Sequence, residues 1–250
     1  MQRINMISFQ NVTKKYPDGT MGLNPLNMKI EQGEFISIIG RSGAGKSTML
    51  RLINGTILPS AGQLNVLGQA VTAKESAKKL RTMRREIGFV FQQFNLINTH
   101  TVISNVLMGR LGYMSTARGL LGLFSAEDIQ MAENVLCEVG LKDQIKKRVD
   151  QLSGGQQQRV AIARAIVQQP KVILADEPMA SLDPKLAEVV LDLLYKFNQD
   201  RKITVLVNVH VLELAKRRAT RIIGLKKGSL VFDGSPEQLT SHETSVVYGD

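Results

Sequence analysis

The feature that most constrains this chain is GRSGAGKST, Gly40 to Thr48, set between the apolar block Phe35 to Ile39 and the helix-forming segment Lys46 to Asn54. It satisfies G-x-x-x-x-G-K-[ST] in the order strand, loop, helix, the context in which that pattern is a phosphate loop. Gly40, Gly43 and Gly45 allow the backbone to curl so that successive N–H groups face one point, and the helix N-terminus adds its positive dipole end. Ser42 and Ala44 complete the loop. Lys46 supplies a point charge for the β and γ phosphates, the Ser47 hydroxyl can ligate Mg²⁺, and Thr48 can bond a phosphate oxygen. Gly55 is placed to close the helix.

A phosphate loop of this kind needs an α/β scaffold, and the 250 residues are enough for one large domain. Hydrophobic residues at 43% and charged residues at 22% are ordinary globular values, which excludes a disordered chain. The net charge of +10 implies an anionic partner, be it nucleotide, nucleic acid or an acidic membrane face. Cys137 is the single cysteine, so no intramolecular disulfide can form. The start, MQRINMISFQ, lacks the apolar region of a secretory signal, and the tract from Leu111 to Phe124 is broken by Arg118 and glycines. These features predict a cytoplasmic protein whose membrane association runs through a partner.

The surrounding sequence predicts the rest of the scaffold. ISFQNVTKKY and LNMKI alternate as antiparallel strands around the turn residues Pro17, Asp18 and Gly19. Lys74 to Arg85 reads as a solvated basic helix. A helix over 126–139 has Ser125 and Asp128 in capping-box positions, a stripe of Ile129, Ala132, Leu136 and Val139, and Gly140 past its end. Gln156 to Gln169 reads as another helix, KVILAD as a buried strand, Asp183 and Pro184 as the cap and first residue of a further helix, and ITVLVNV as a strand. The alternation predicts a mostly parallel sheet covered by helices, in the α/β class.

Hydrolysis needs acidic residues, and LADEP ends a strand in two of them. Asp176 falls at the carboxyl end of the strand, where α/β ligand sites lie, with the expected role of holding the Mg²⁺ shell. Glu177, displaced off the strand face, is placed as general base on the attacking water, although such a pair also occurs at strand ends for structural reasons alone. LSGGQQQ, Leu152 to Gln158, then presents a second set of small residues and N–H groups at a helix start, a second anion site.

LSGGQ just upstream of LADEP, together with the phosphate loop, resembles the ABC transporter ATPases, and the resemblance runs over essentially the whole chain. It implies an ABC-type P-loop NTPase: one ATPase domain over 1–250, with a mostly parallel core and antiparallel β subdomain in about 1–90 and 155–250, and an α-helical subdomain in about 93–154. It implies that Tyr16 stacks on adenine, that Gln92 in FVFQQFNL contacts Mg²⁺ and the attacking water, and that His210 senses the γ-phosphate. Gln93 is a rival to Gln92, but the family pattern places the functional glutamine directly after Phe91. SLD, Ser181 to Asp183, resembles the D-loop, so Asp183 joins the nucleotide site as well as capping its helix. ATP and Mg²⁺ are the implied cofactors. A homodimer formed on ATP binding is the implied assembly, each nucleotide lying between the phosphate loop of one subunit and Ser153, Gly154, Gly155 and Gln156 of the other.

Within that family, NVLMGRLGYMSTARGLLGLFSAED and the ending VFDGSPEQL resemble the ATPases of phosphonate importers. This implies uptake of phosphonate or a related phosphorus oxyanion such as phosphite, the alternative being another small polar solute. It also implies permease subunits contacted by the region from Gln92 to Phe124, an extracytoplasmic substrate-binding protein, and a peripheral position on the cytoplasmic face of the inner membrane. A soluble ABC ATPase acting on nucleic acid or ribosomes is the rival class. Such proteins usually carry paired ATPase domains or a long coiled coil, absent here, so no specific nucleic acid is expected.

Overall fold

The computed structural model of the chain describes residues 4–249, so the first three residues of the start read above lie outside it. Strands β1 (Asn5–Lys15), β2 (Met21–Glu31) and β3 (Phe35–Ile39) lead into helix α1 (Lys46–Ile53). Then come β4 (Ala61–Val66), β5 (Gln69–Val71), α2 (Ala77–Arg85) and β6 (Ile87–Val90). A helical stretch follows: α3 (Val102–Leu107), a 3-10 turn at Met108–Tyr113, α4 (Thr116–Leu120), α5 (Ala126–Glu138) and α6 (Gly154–Ile166). The remainder is β7 (Val172–Ala175), α7 (Pro184–Arg201), β8 (Thr204–Asn208), α8 (Leu212–Arg218), β9 (Arg221–Lys226), β10 (Ser229–Gly234) and α9 (Ser241–Tyr248).

Two sheets result. One is antiparallel in the order β2-β1-β4-β5, and the other runs β10-β9-β3-β8-β7-β6. In the second, β3, β6, β7, β8 and β9 are parallel and only β10 is antiparallel. Its central strands are buried on both faces, which is why they read as continuous apolar runs. Phe35, Ile39, Val205, Val207, Ile173 and Ala175 point into the core shared with α3, α5, α6 and α7. Ile36, Ile38, Leu206, Val172 and Leu174 point into the core shared with α1, α2 and the antiparallel sheet. The carboxyl ends of β3, β7 and β8 therefore lie side by side, and the phosphate loop, Asp176 and His210 leave from them.

Several expected helix limits shift, each for a local reason. The basic helix starts at Ala77, because Ser76 accepts from Lys79 N and Glu75 pairs with Lys79 outside the first turn. It is not wholly solvated: Leu80 and Met83 are buried. The helix expected from Gln156 starts at Gly154, since Ser153 and Gln156 close a capping box around it, and it ends at Ile166 before Gln169 turns left-handed at φ 56°. In α5 the capping box of Ser125 and Asp128 is present, but the inner stripe is Ala132, Val135, Leu136 and Val139, with Ile129 39% exposed. Asp183 caps α7 by accepting from Leu186 N at 3.0 Å.

Candidate functional site

The loop after β3 depends on two glycines. Gly40 has φ +144°, and a Cβ there would sit 2.2 Å from Leu225 O; Gly45 has φ +104°, and its Cβ would meet Gly22 O at 2.7 Å. Only a residue without a side chain satisfies both the torsion and the contact. Within this loop Lys46 is buried, and its Nζ donates to Gly40 O at 2.8 Å and Arg41 O at 3.1 Å. Burial holds the Lys46 ammonium below its ordinary pKa, opposed by the nearby charges of Glu177 and Asp176. The loop thus keeps a cation beside two carboxylates.

Ser47, in the first turn of α1, donates to Asp176 Oδ1 at 2.8 Å. The same oxygen accepts from Asn208 Nδ2 at 2.6 Å. Glu177 follows with φ 50°, a left-handed conformation uncommon for a residue with a side chain, and its Oε1 lies 2.6 Å from His210 Nε2. The ends of β7 and β8 are therefore joined twice, by Asp176 with Asn208 and by Glu177 with His210.

A cavity of about 280 Å³ is lined by Tyr16, Thr20, Met21, Gly22, the loop residues from Ser42 to Thr48, and Glu177. The Tyr16 hydroxyl is 3.0 Å from Thr48 Oγ1, and Lys14 Nζ lies 5.6 Å from the Tyr16 ring centroid. Gly22 makes room for that ring, since a Cβ on it would come within 2.6 Å of Tyr16 Cε2. Tyr16, the phosphate loop and Glu177 line this cavity, and Asp176 and His210 adjoin it through Ser47 and Glu177.

Other expected residues are not in this cavity. Gln92 lines a separate hollow with Gln93, Phe94, Ala180 and Ser181. Ser153 accepts from Gln156 N at 3.4 Å, and Gly155 packs where its Cβ would touch Leu186 at 2.9 Å, so the LSGG turn lies against the start of α7. None of Ser153, Gly154, Gly155, Gln156 or Asp183 lines the cavity at the phosphate loop. Asn208 was not anticipated; its only sequence signal is an amide ending the otherwise apolar strand ITVLVNV.

Two oxygens from Ser47 and Asp176 at 2.8 Å suit a hard divalent cation, since neighbouring ligands of an octahedral Mg²⁺ at about 2.0–2.1 Å stand about 2.9 Å apart. Among the described residues no group of three or more His, Cys, Asp or Glu could hold a metal by itself.

The family model described as "ABC transporter" matches residues 23–180. The phosphonates import ATP-binding protein PhnC of Bacillus thuringiensis subsp. konkukian (strain 97-27) is 52% identical over 245 residues, 98% of this chain and 95% of that protein. PhnC 2 of Halalkalibacterium halodurans is 51% identical over 243 residues, covering 97% and 99%. Among solved structures, a dimeric post-hydrolysis state of the ATP-binding cassette MJ0796 bound to ADP and Pi has a TM-score of 0.80 at 39% identity, covering 92% of this chain and 99% of that one. The cbiO1 subunit of a Clostridium perfringens ABC transporter complex gives a TM-score of 0.83 at 29% identity, covering 96% and 92%. On the family model over 23–180 and an identity of 52% along nearly its whole length, this chain belongs to the ATP-binding subunits of the ABC transporter family.

Proposed function

We propose that this chain is the ATPase of an importer for phosphonate or a related phosphorus oxyanion such as phosphite. The observation that carries the hydrolytic part is the pair of cross-links at the strand ends, which places an oriented Glu177 beside a metal-compatible oxygen pair and a buried lysine. Lys46 and the loop N–H groups hold the phosphates. Ser47 and Asp176, with Gln92, would hold Mg²⁺, which when bound offsets charge on the phosphate oxygens. Glu177 accepts the proton of the attacking water, and His210 fixes the carboxylate through Nε2. Tyr16 offers its ring to adenine at the edge of the same cavity.

The chain works as two copies, with Ser153, Gly154, Gly155, Gln156 and Asp183 facing the nucleotide held by the other copy. Their position outside this chain's own phosphate cavity supports that assignment. We also propose a division into a core over about 1–90 and 155–250 and a helical subdomain over about 93–154. The permease is contacted by the region from Gln92 to Phe124. Leu120 at the end of α4, and Leu121 and Leu123 just after it, support this, being 84%, 72% and 53% exposed. A groove of about 600 Å³, lined by Arg81, Arg84, Arg85 and Arg164 together with Met108, Gly109 and Gly112 of the same region, adds positive charge there. A peripheral position on the cytoplasmic face belongs to the same proposal; no described helix is long and apolar enough to cross a membrane.

The substrate assignment is tested in the reconstituted complex of this chain, its permease and its binding protein. Methylphosphonate or phosphite is expected to stimulate ATP turnover, each added to the loaded binding protein. Stimulation by an amino acid or sugar, with none by either phosphorus oxyanion, contradicts it.

A further inference from the structure

Asn208 is the last residue of β8, and its side chain is wholly buried. The parallel register pairs Ala175 with Val207, so Asp176 and Asn208 are the next neighbours beyond it. Asn208 Nδ2 donates to Asp176 Oδ1 at 2.6 Å, while its own Oδ1 is buried with no hydrogen-bond partner. An orphaned buried acceptor is destabilising, and an aliphatic residue ending this apolar strand would avoid that penalty. The amide is therefore a poor choice for packing alone, and its one strong bond points at a carboxylate of the active site.

We infer that Asn208 is a positioning residue that fixes the Asp176 carboxylate for a divalent cation. This rests on the reading of Ser47 and Asp176 as protein ligands of the metal. Two donors, Ser47 Oγ and Asn208 Nδ2, converge on the same oxygen from different elements, α1 and β8, and together remove the carboxylate's rotational freedom. The chemistry of the second donor matters. A lysine or arginine there would also hold the carboxylate but would cancel the negative charge that attracts the cation. A carboxamide orients it and leaves the charge in place. Donors behind a metal ligand commonly set affinity in this way.

The test uses the full chain with Asn208→Leu, which fills the space without a donor, and Asn208→Ser, a smaller change that carries the test where the Leu chain does not fold. Mn²⁺ binding at fixed ATP is followed by electron paramagnetic resonance, and ATP binding in EDTA is measured by calorimetry. Both variants are expected to lose about tenfold or more in Mn²⁺ affinity while metal-free ATP affinity stays within about twofold. Wild-type Mn²⁺ affinity in a folded variant overturns the inference. So does an equal loss in EDTA, which would mark Asn208 as structural. If the unmodified chain itself fails to bind Mn²⁺ with ATP, the metal assignment falls, and the role of Asn208 with it.

Discussion

Glu177 sits at φ 50° with its carboxylate 2.6 Å from His210 Nε2, and Ala180 N bonds back to its carbonyl oxygen at 3.2 Å. A left-handed non-glycine residue of this kind costs of order 1 kcal/mol or more and persists where the surroundings over-determine it. Here the turn lifts the side chain off the strand, so that Asp176 and Glu177, though adjacent, serve different neighbours. Glu177→Gln keeps the shape and removes the base. Its expected effect is a fall in ATP turnover of at least about a hundredfold, with ATP affinity retained, as read by single-turnover hydrolysis beside a binding titration. Turnover within tenfold of the unmodified chain would remove Glu177 from the role of base. Most of these residues were legible because phosphate chemistry requires particular residue types at short spacing: Lys46, Ser47, Asp176 and Glu177 all lie in contiguous motifs. Asn208 was not, because its function comes from β7 and β8 lying side by side, a relation between residues 32 positions apart.

At the scale of elements, α5 illustrates what a capping pattern can do. Ser125 Oγ accepts from Asp128 N at 3.1 Å and donates to Asp128 Oδ2 at 2.9 Å, while Arg110 Nε donates to Asp128 Oδ1 at 2.7 Å. Burial pushes the Asp128 carboxyl up, but the bonds from Arg110 and Ser125 outweigh it and hold the group below its ordinary value. A carboxylate with a depressed folded pKa stabilises fully above the ordinary unfolded value, and that stability is lost as pH falls through the lower folded value. Ser125→Ala should therefore cost about 1 kcal/mol at neutral pH by urea unfolding, with the deficit narrowing in acid. A deficit that is unchanged or grows as pH falls would contradict this linkage.

Three strands that escaped the sequence share one trait, weak periodicity. β4 carries Gln63 and Asn65, β6 spans four residues, and β10 has no fully buried residue, so none shows a distinct alternation. Each is recruited by pairing: β4 with β1, β6 with β7, and β10 with β9. Strands without a distinct alternation of their own are specified by the sheet they join.

For the molecule as a whole, the proposed function divides the nucleotide grip between the phosphate loop of one copy and the LSGG turn of another. The phosphate loop and Glu177 share a cavity that the LSGG turn, braced on α7, does not line. On that proposal a single copy binds ATP on one side only, and closing a second copy over the γ-phosphate converts binding into movement. To shift such an open and closed pair from 1:99 to 99:1 takes about 5.5 kcal/mol of differential binding, within reach of charge-assisted bonds contributed by both copies. The most direct measurement is sedimentation of the Glu177→Gln chain, which binds ATP without consuming it. The expected result is one species at the chain mass of 27.6 kDa without nucleotide and a second at twice that mass with ATP, lost when Ser153→Phe blocks the LSGG turn. A chain that stays at 27.6 kDa in saturating ATP, or that pairs equally well with Ser153→Phe, contradicts the account.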